Sequence, residues 1–182
     1  MKLPLTCALL ALSLPLAAQQ PPGVNDMLQG LVSQQATHTA FTFDRDMLAA
    51  ADGLMNIPNN ALNSITVENY RYHEPAFYVP ETMAQLNAAY TAAGYKHLVE
   101  QHVDARAAAM PRGTLADLWL HNNGTQIDSI VVLLRTEHQM SVIDVTGSLR
   151  PLDLVHLSGH FGIPKVDPGA VMVPAPPPPP TR

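Results

Sequence analysis

The chain has 182 residues, with 15 acidic against 10 basic side chains for a formal charge of -5, and 47% of it is apolar. With no dense basic stretch, that balance argues against nucleic acid or anionic lipid as a partner. The one cysteine, Cys7, lies in the opening segment, so the remainder has neither a disulfide framework nor a thiolate nucleophile.

Lys2, an apolar run from Leu3 to Leu16 and the small pair Ala17-Ala18 before polar Gln19 have the layout of a secretory signal peptide, cut between Ala18 and Gln19. The run is too short and too Pro-interrupted to span about 30 Å of hydrocarbon comfortably. The expectation is therefore a signal at 1–18, no transmembrane segment in the mature chain, and a soluble product in the periplasm or outside the cell. Residues 19–37 read as a partly helical N-terminal segment, with Met27, Leu28, Leu31 and Val32 at helical spacing. Residues 38–166 read as one globular domain.

Within that domain HTAFTF, 38–43, alternates like a strand. Asp44 reads as the N-cap of a helix running to about Asn56, with Asp46 in its first turn. A second strand is expected at 64–74. Pro80 then starts a helix with Met83, Leu86, Tyr90 and Ala93 on one face, closed by Gly94. A third strand is expected at 95–104, followed by an Ala-rich crossing to Pro111-Arg112-Gly113. Asn123-Gly124 reads as a two-residue hairpin turn that sets Leu120 against Ile127, Leu118 against Ser129 and Trp119 against Asp128, with one face the drier. A strand at 140–147 and a short helix from Pro151 complete the series. Consecutive strands with tight turns favour an α+β fold, a two-layer sandwich with a mainly antiparallel sheet of five to six strands and about three helices. Pro168, Pro174 and Pro176 to Pro180 make 167–182 a Pro-rich disordered tail, whose PxxPxR match at Pro177 to Arg182 follows from composition.

Five segments, FTFDRDML (41–48), VENYRYHEPAFYVPETM (67–83), GYKHLV (94–99), VIDVTGSL (142–149) and LSGHFGIP (157–164), occur in an order that resembles the bacterial exported-protein family Domain of Unknown Function 4252 over positions 38 to 166. The resemblance implies an exported α+β domain of the Gram-negative envelope, without assigned catalytic residues and associated with envelope signalling. Members that look like lipoproteins carry a cysteine at the end of the signal; here Gln19 stands there.

The best metal-like spacing is Asp153, His156 and His160, three and four apart on the expected last helix. There is no HExxH glutamate between the histidines, and Gly159 and Gly162 threaten the geometry, so a solvated polar face is the expected use. His97 and His102, five apart on a strand, point to opposite faces. His38, His73, His121 and His138 fall near turns or strand ends, where exposure is ordinary. Glu68 with Glu74, or Asp128 with Glu137, could pair, although no spacing demands it. Ser158-Gly159 lacks the GxSxG elbow. Asn123-Gly124-Thr125 matches a glycosylation sequon that the hairpin turn explains. Tyr70, Tyr72, Phe77 and Tyr78 have core packing or a sheet edge as their expected use, ahead of a ligand groove. The expectation is a non-enzymatic, cofactor-free module that binds an unknown envelope protein. The alternative is a metal or small-ligand binder using Asp153, His156 and His160.

Overall fold

The computed structural model describes residues 20–21, 23–55, 61–99, 104–150 and 153. Their order is α1 (Val24–Gln29), β1 (Ala36–Phe43), α2 (Arg45–Met55), β2 (Leu62–Tyr72), α3 (Pro80–Ala92), β3 (Lys96–Val99), α4 (Ala105–Ala109), β4 (Leu115–Asn123), β5 (Gln126–Arg135) and β6 (Gln139–Leu149). The strands form one six-stranded, wholly antiparallel sheet in the order β1-β2-β6-β5-β4-β3. The fold is α+β, with more of the chain in the sheet than in the four helices seen among the described residues. No helix among them is long and apolar enough to cross a membrane.

Local side-chain chemistry sets the helix ends. Asp44 Oδ1 accepts the Met47 N–H at 2.9 Å, the N-cap the sequence announces. Pro80 occupies the first turn of α3, where its missing N–H costs nothing. At the other end Tyr95 N–H bonds Tyr90 O and Gly94 N–H bonds Thr91 O, both at 3.0 Å, a Schellman closure with Gly94 at φ +88°. The Tyr90 and Tyr95 rings, 5.1 Å apart, make the apolar contact that accompanies it.

Three expectations need correction. The Ala-rich crossing contains a helix, α4, because Asp104 Oδ1 caps it by accepting the Ala107 N–H at 2.9 Å; the third strand is described over Lys96–Val99, and 100–103 lie outside the described residues. The β4–β5 turn is one residue further on, at Gly124-Thr125, with Asn123 paired to Gln126. Asp128 then bulges out of β5, so Trp119 opposes Val131, Leu118 opposes Val132 and Leu120 opposes Ile130. Because the slip is an odd number of residues, it exchanges the faces of β5. Neither face of the central strands is dry at the other's expense. Tyr70, Tyr72, Trp119, Leu133 and Met140 pack with Leu28 of α1 and Leu86 of α3 on one side. Ile65, Ile130, Val132, Ile143 and Val145 pack with Leu48 of α2 on the other. The expected last helix, apart from Asp153, and the Pro-rich tail lie outside the described residues.

Gly124 sits at φ +66° with open space where a Cβ would stand. Gly124→Val is therefore expected to cost on the order of 1–2 kcal/mol through backbone strain alone. A urea midpoint unchanged from wild type would place the turn elsewhere.

Candidate functional site

The two sheet edges are built differently. β3, described over Lys96–Val99, carries Lys96, a charge that discourages a foreign strand. β1 is eight residues long, reads ATHTAFTF, contains no lysine, carboxylate or proline, and is exposed along nearly all its length. Its inner edge is paired with β2 from Ala36↔Tyr72 to Phe43↔Ile65, and no strand among the described residues covers its outer edge. Phe41, 56% exposed, lies against the Phe43 ring at 5.0 Å. An uncharged edge of this length offers a row of backbone donors and acceptors to an added strand.

Behind that edge lies a polar cluster. His38 stacks on Tyr70, its partner in the β1–β2 register, with ring centroids 4.4 Å apart. His38 Nε2 is 3.0 Å from Glu68 Oε2, and the Tyr70 hydroxyl donates to the same oxygen at 2.8 Å. Burial, reinforced by the Glu68 bond and charge, holds the Tyr70 phenol far above its ordinary pKa, so it is a fixed donor. Further along the same face Asp144 of β6 has its pKa pushed up to about 6. Burial is the main cause and the Glu68 charge adds to it, while a hydrogen bond from Gln20 acts the other way.

At the β3 end a second group converges. Asp117 Oδ2 accepts from Arg135 Nη2 at 2.8 Å, and its Oδ1 is 3.0 Å from His97 Nε2, whose ring stacks on Trp119. Arg135 also donates to the α4 carbonyl of Ala108 at 2.9 Å and lies over the Tyr78 ring. Burial alone would raise the Asp117 pKa; the His97 and Arg135 interactions outweigh it and hold it below the usual value. The pair borders a cleft of about 320 Å³ between α3, α4 and the start of β4, lined mainly by apolar side chains such as Met83, Ala108 and Leu115. Arg135, Asp117 and His97 bond to one another there, with Arg135 Nε left buried and unpartnered, which makes them a clasp between β5, β4 and β3.

Of the residues singled out from sequence, Asp153 is buried, not on a solvated face. Its carboxylate takes the Arg150 backbone N–H at 2.8 Å and the guanidinium at 2.9 and 3.2 Å. His156, His160, Ala18 and Gln19 lie outside the described residues, as does His102. Among the described residues no three His, Cys, Asp or Glu side chains are grouped to hold a metal ion. Glu68 and Asp128 pair with histidines and not with the carboxylates considered from sequence; His121 Nδ1 is 2.6 Å from Asp128 Oδ1. Tyr70, Tyr72 and Tyr78 pack in the core, whereas Phe77 is exposed. The histidine–carboxylate pairs escaped sequence reading because they join strands 30 and 20 residues apart, or straddle a bulge.

No protein-family model, no curated protein and no solved structure matches the chain.

Proposed function

We propose that this chain is an exported envelope protein that acts without catalysis, by pairing a strand of a partner protein to the outer edge of β1. The observation that carries the proposal is the edge at β1, which is long, uncharged and open, whereas the described part of the other edge bears a lysine. Strand addition draws affinity from backbone hydrogen bonds and specificity from alternate side chains, here Thr37, Thr39 and Phe41 on one face and His38 and Ala40 on the other. The leader is removed after Ala18, the product is soluble, and the resemblance to the exported family supports a place in envelope signalling. In the layer arrangement proposed with it, α1 and α3 cover one sheet face and α2, through Leu48, covers part of the other.

A photo-activatable phenylalanine analogue at position 41, in cells exporting the protein, is expected to give one discrete adduct. The same analogue at exposed Met110, beside α4, gives none, and Thr39→Lys abolishes the adduct at 41 without lowering the melting temperature. Equal labelling from Met110, or none from position 41, is incompatible with edge pairing.

A further inference from the structure

The cleft between α3, α4 and the start of β4 holds about 320 Å³, at the lower end of the roughly 300–1,000 Å³ of small-molecule sites. It stays open because its walls are short side chains. Ala84 of α3, Ala105 and Ala108 of α4 and Ala116 of β4 present methyl groups where longer ones would fill the space. Its shape is held by the backbone. Asp104 caps α4 at one end. At the other, the Ala108 and Ala109 carbonyls, which a helix C-terminus leaves without internal partners, accept from Arg135 Nη1 and from the Tyr78 N–H, both at 2.9 Å.

Two donors in this lining have no acceptor among the described residues. Arg135, 6% exposed, commits Nη1 to Ala108 O and Nη2 to Asp117 Oδ2, while its Nε is buried without a hydrogen-bond partner. Asn87 Oδ1 accepts from Trp119 Nε1 at 3.2 Å, and the amide nitrogen of the same side chain is unused. A buried donor left unpaired carries a desolvation cost that an entering acceptor removes. That acceptor has to be uncharged. The Arg135 guanidinium is already matched by the Asp117 carboxylate at 2.8 Å, so an anion would face Asp117, an ammonium would face Arg135, and either would bring a lone charge out of water. A carbonyl oxygen has two lone pairs and no net charge. We propose that this cleft is a binding site for a small, neutral, mainly apolar molecule bearing one carbonyl oxygen, which takes up the donors that Arg135 and Asn87 leave unused while its hydrocarbon part lies against Met83, Leu115 and α4. The site goes beyond the strand pairing proposed above and is independent of it, because β6 and β2 stand between β5, which carries Arg135, and β1.

The test titrates 2-heptanone, hexanoate and hexylammonium, which have hydrocarbon chains of similar length, into the isotope-labelled protein at pH 7 and follows its side-chain N–H signals by NMR. The ketone is expected to bind with a Kd of about 1 mM or tighter. It shifts the Arg135 Nε–H and the Asn87 amide signals, and binds at least about tenfold more tightly than either charged probe. Ala84→Phe, at an exposed position on α3, fills the cleft and abolishes these shifts without lowering the melting temperature. Asn87→Asp keeps an acceptor for Trp119 Nε1, removes the amide donors and weakens the ketone by at least about fivefold. An Arg135 Nε–H signal that does not move, hexanoate binding as tightly as the ketone, or shifts that persist in Ala84→Phe overturns the site.

Discussion

Replacing Gly147 with alanine is expected to destabilise the protein by about 3 kcal/mol or more, a large part of the roughly 5–15 kcal/mol that holds an ordinary domain together. A Cβ at this position stands 2.1 Å from the Ala61 carbonyl oxygen and 3.1 Å from Ala61 C and Leu62 Cα. All three are backbone atoms, so no side-chain rotation relieves the clash. Leu62 opposes Gly147 where the β2–β6 register shifts, and Ala61 O accepts the Ser148 N–H at 2.6 Å. Making room requires the start of β2 and the end of β6 to part. Urea denaturation of Gly147→Ala measures the loss; a midpoint equal to wild type contradicts the close strand approach. Gly124→Ala, where a Cβ meets nothing, separates this steric effect from turn strain.

Asp117→Ala is expected to cost on the order of 3–5 kcal/mol, because it strands the Arg135 guanidinium in a buried position. Asp117→Leu with Arg135→Met removes both charges and recovers part of that loss, since an apolar pair of similar volume needs no compensating partner. A double variant less stable than Asp117→Ala contradicts this account of the clasp. The pH dependence has a definite sign. The folded pKa of Asp117 lies below its unfolded value, so its stabilisation is present above about pH 4 and is lost as pH falls through the folded pKa. Melting curves from pH 5 to pH 2 check this. Asp117→Asn loses less stability across that range than wild type, and an equal loss places the acid-sensitive group elsewhere.

Features governed by neighbours along the chain were legible in the sequence. The Asp44 cap acts on the N–H three residues away, Pro80 fixes its own φ, and Gly94 closes the helix that ends beside it. Register was not legible, because Asn123-Gly124 is compatible with a turn in more than one frame and the bulge at Asp128 is settled by both flanking strands. The helix α4 was missed because its cap, Asp104, reads equally well as the last residue of a strand. Apolar side chains on both faces of β5 masked the frame error, since either alignment buries something. The edge position of β1 follows from α3 carrying the chain to the far edge and β6 returning beside β2, a consequence of topology that no local pattern encodes.

Partner binding turns on the outer edge of β1, and amide hydrogen exchange probes that edge residue by residue. The mature chain is measured alone and in complex with the protein captured at position 41. Strand addition predicts slowed exchange at alternate amides of Ala36–Phe43, those facing away from β2, with little change along α3. Protection that develops elsewhere, while the outward amides of β1 exchange as fast as in the free protein, contradicts it.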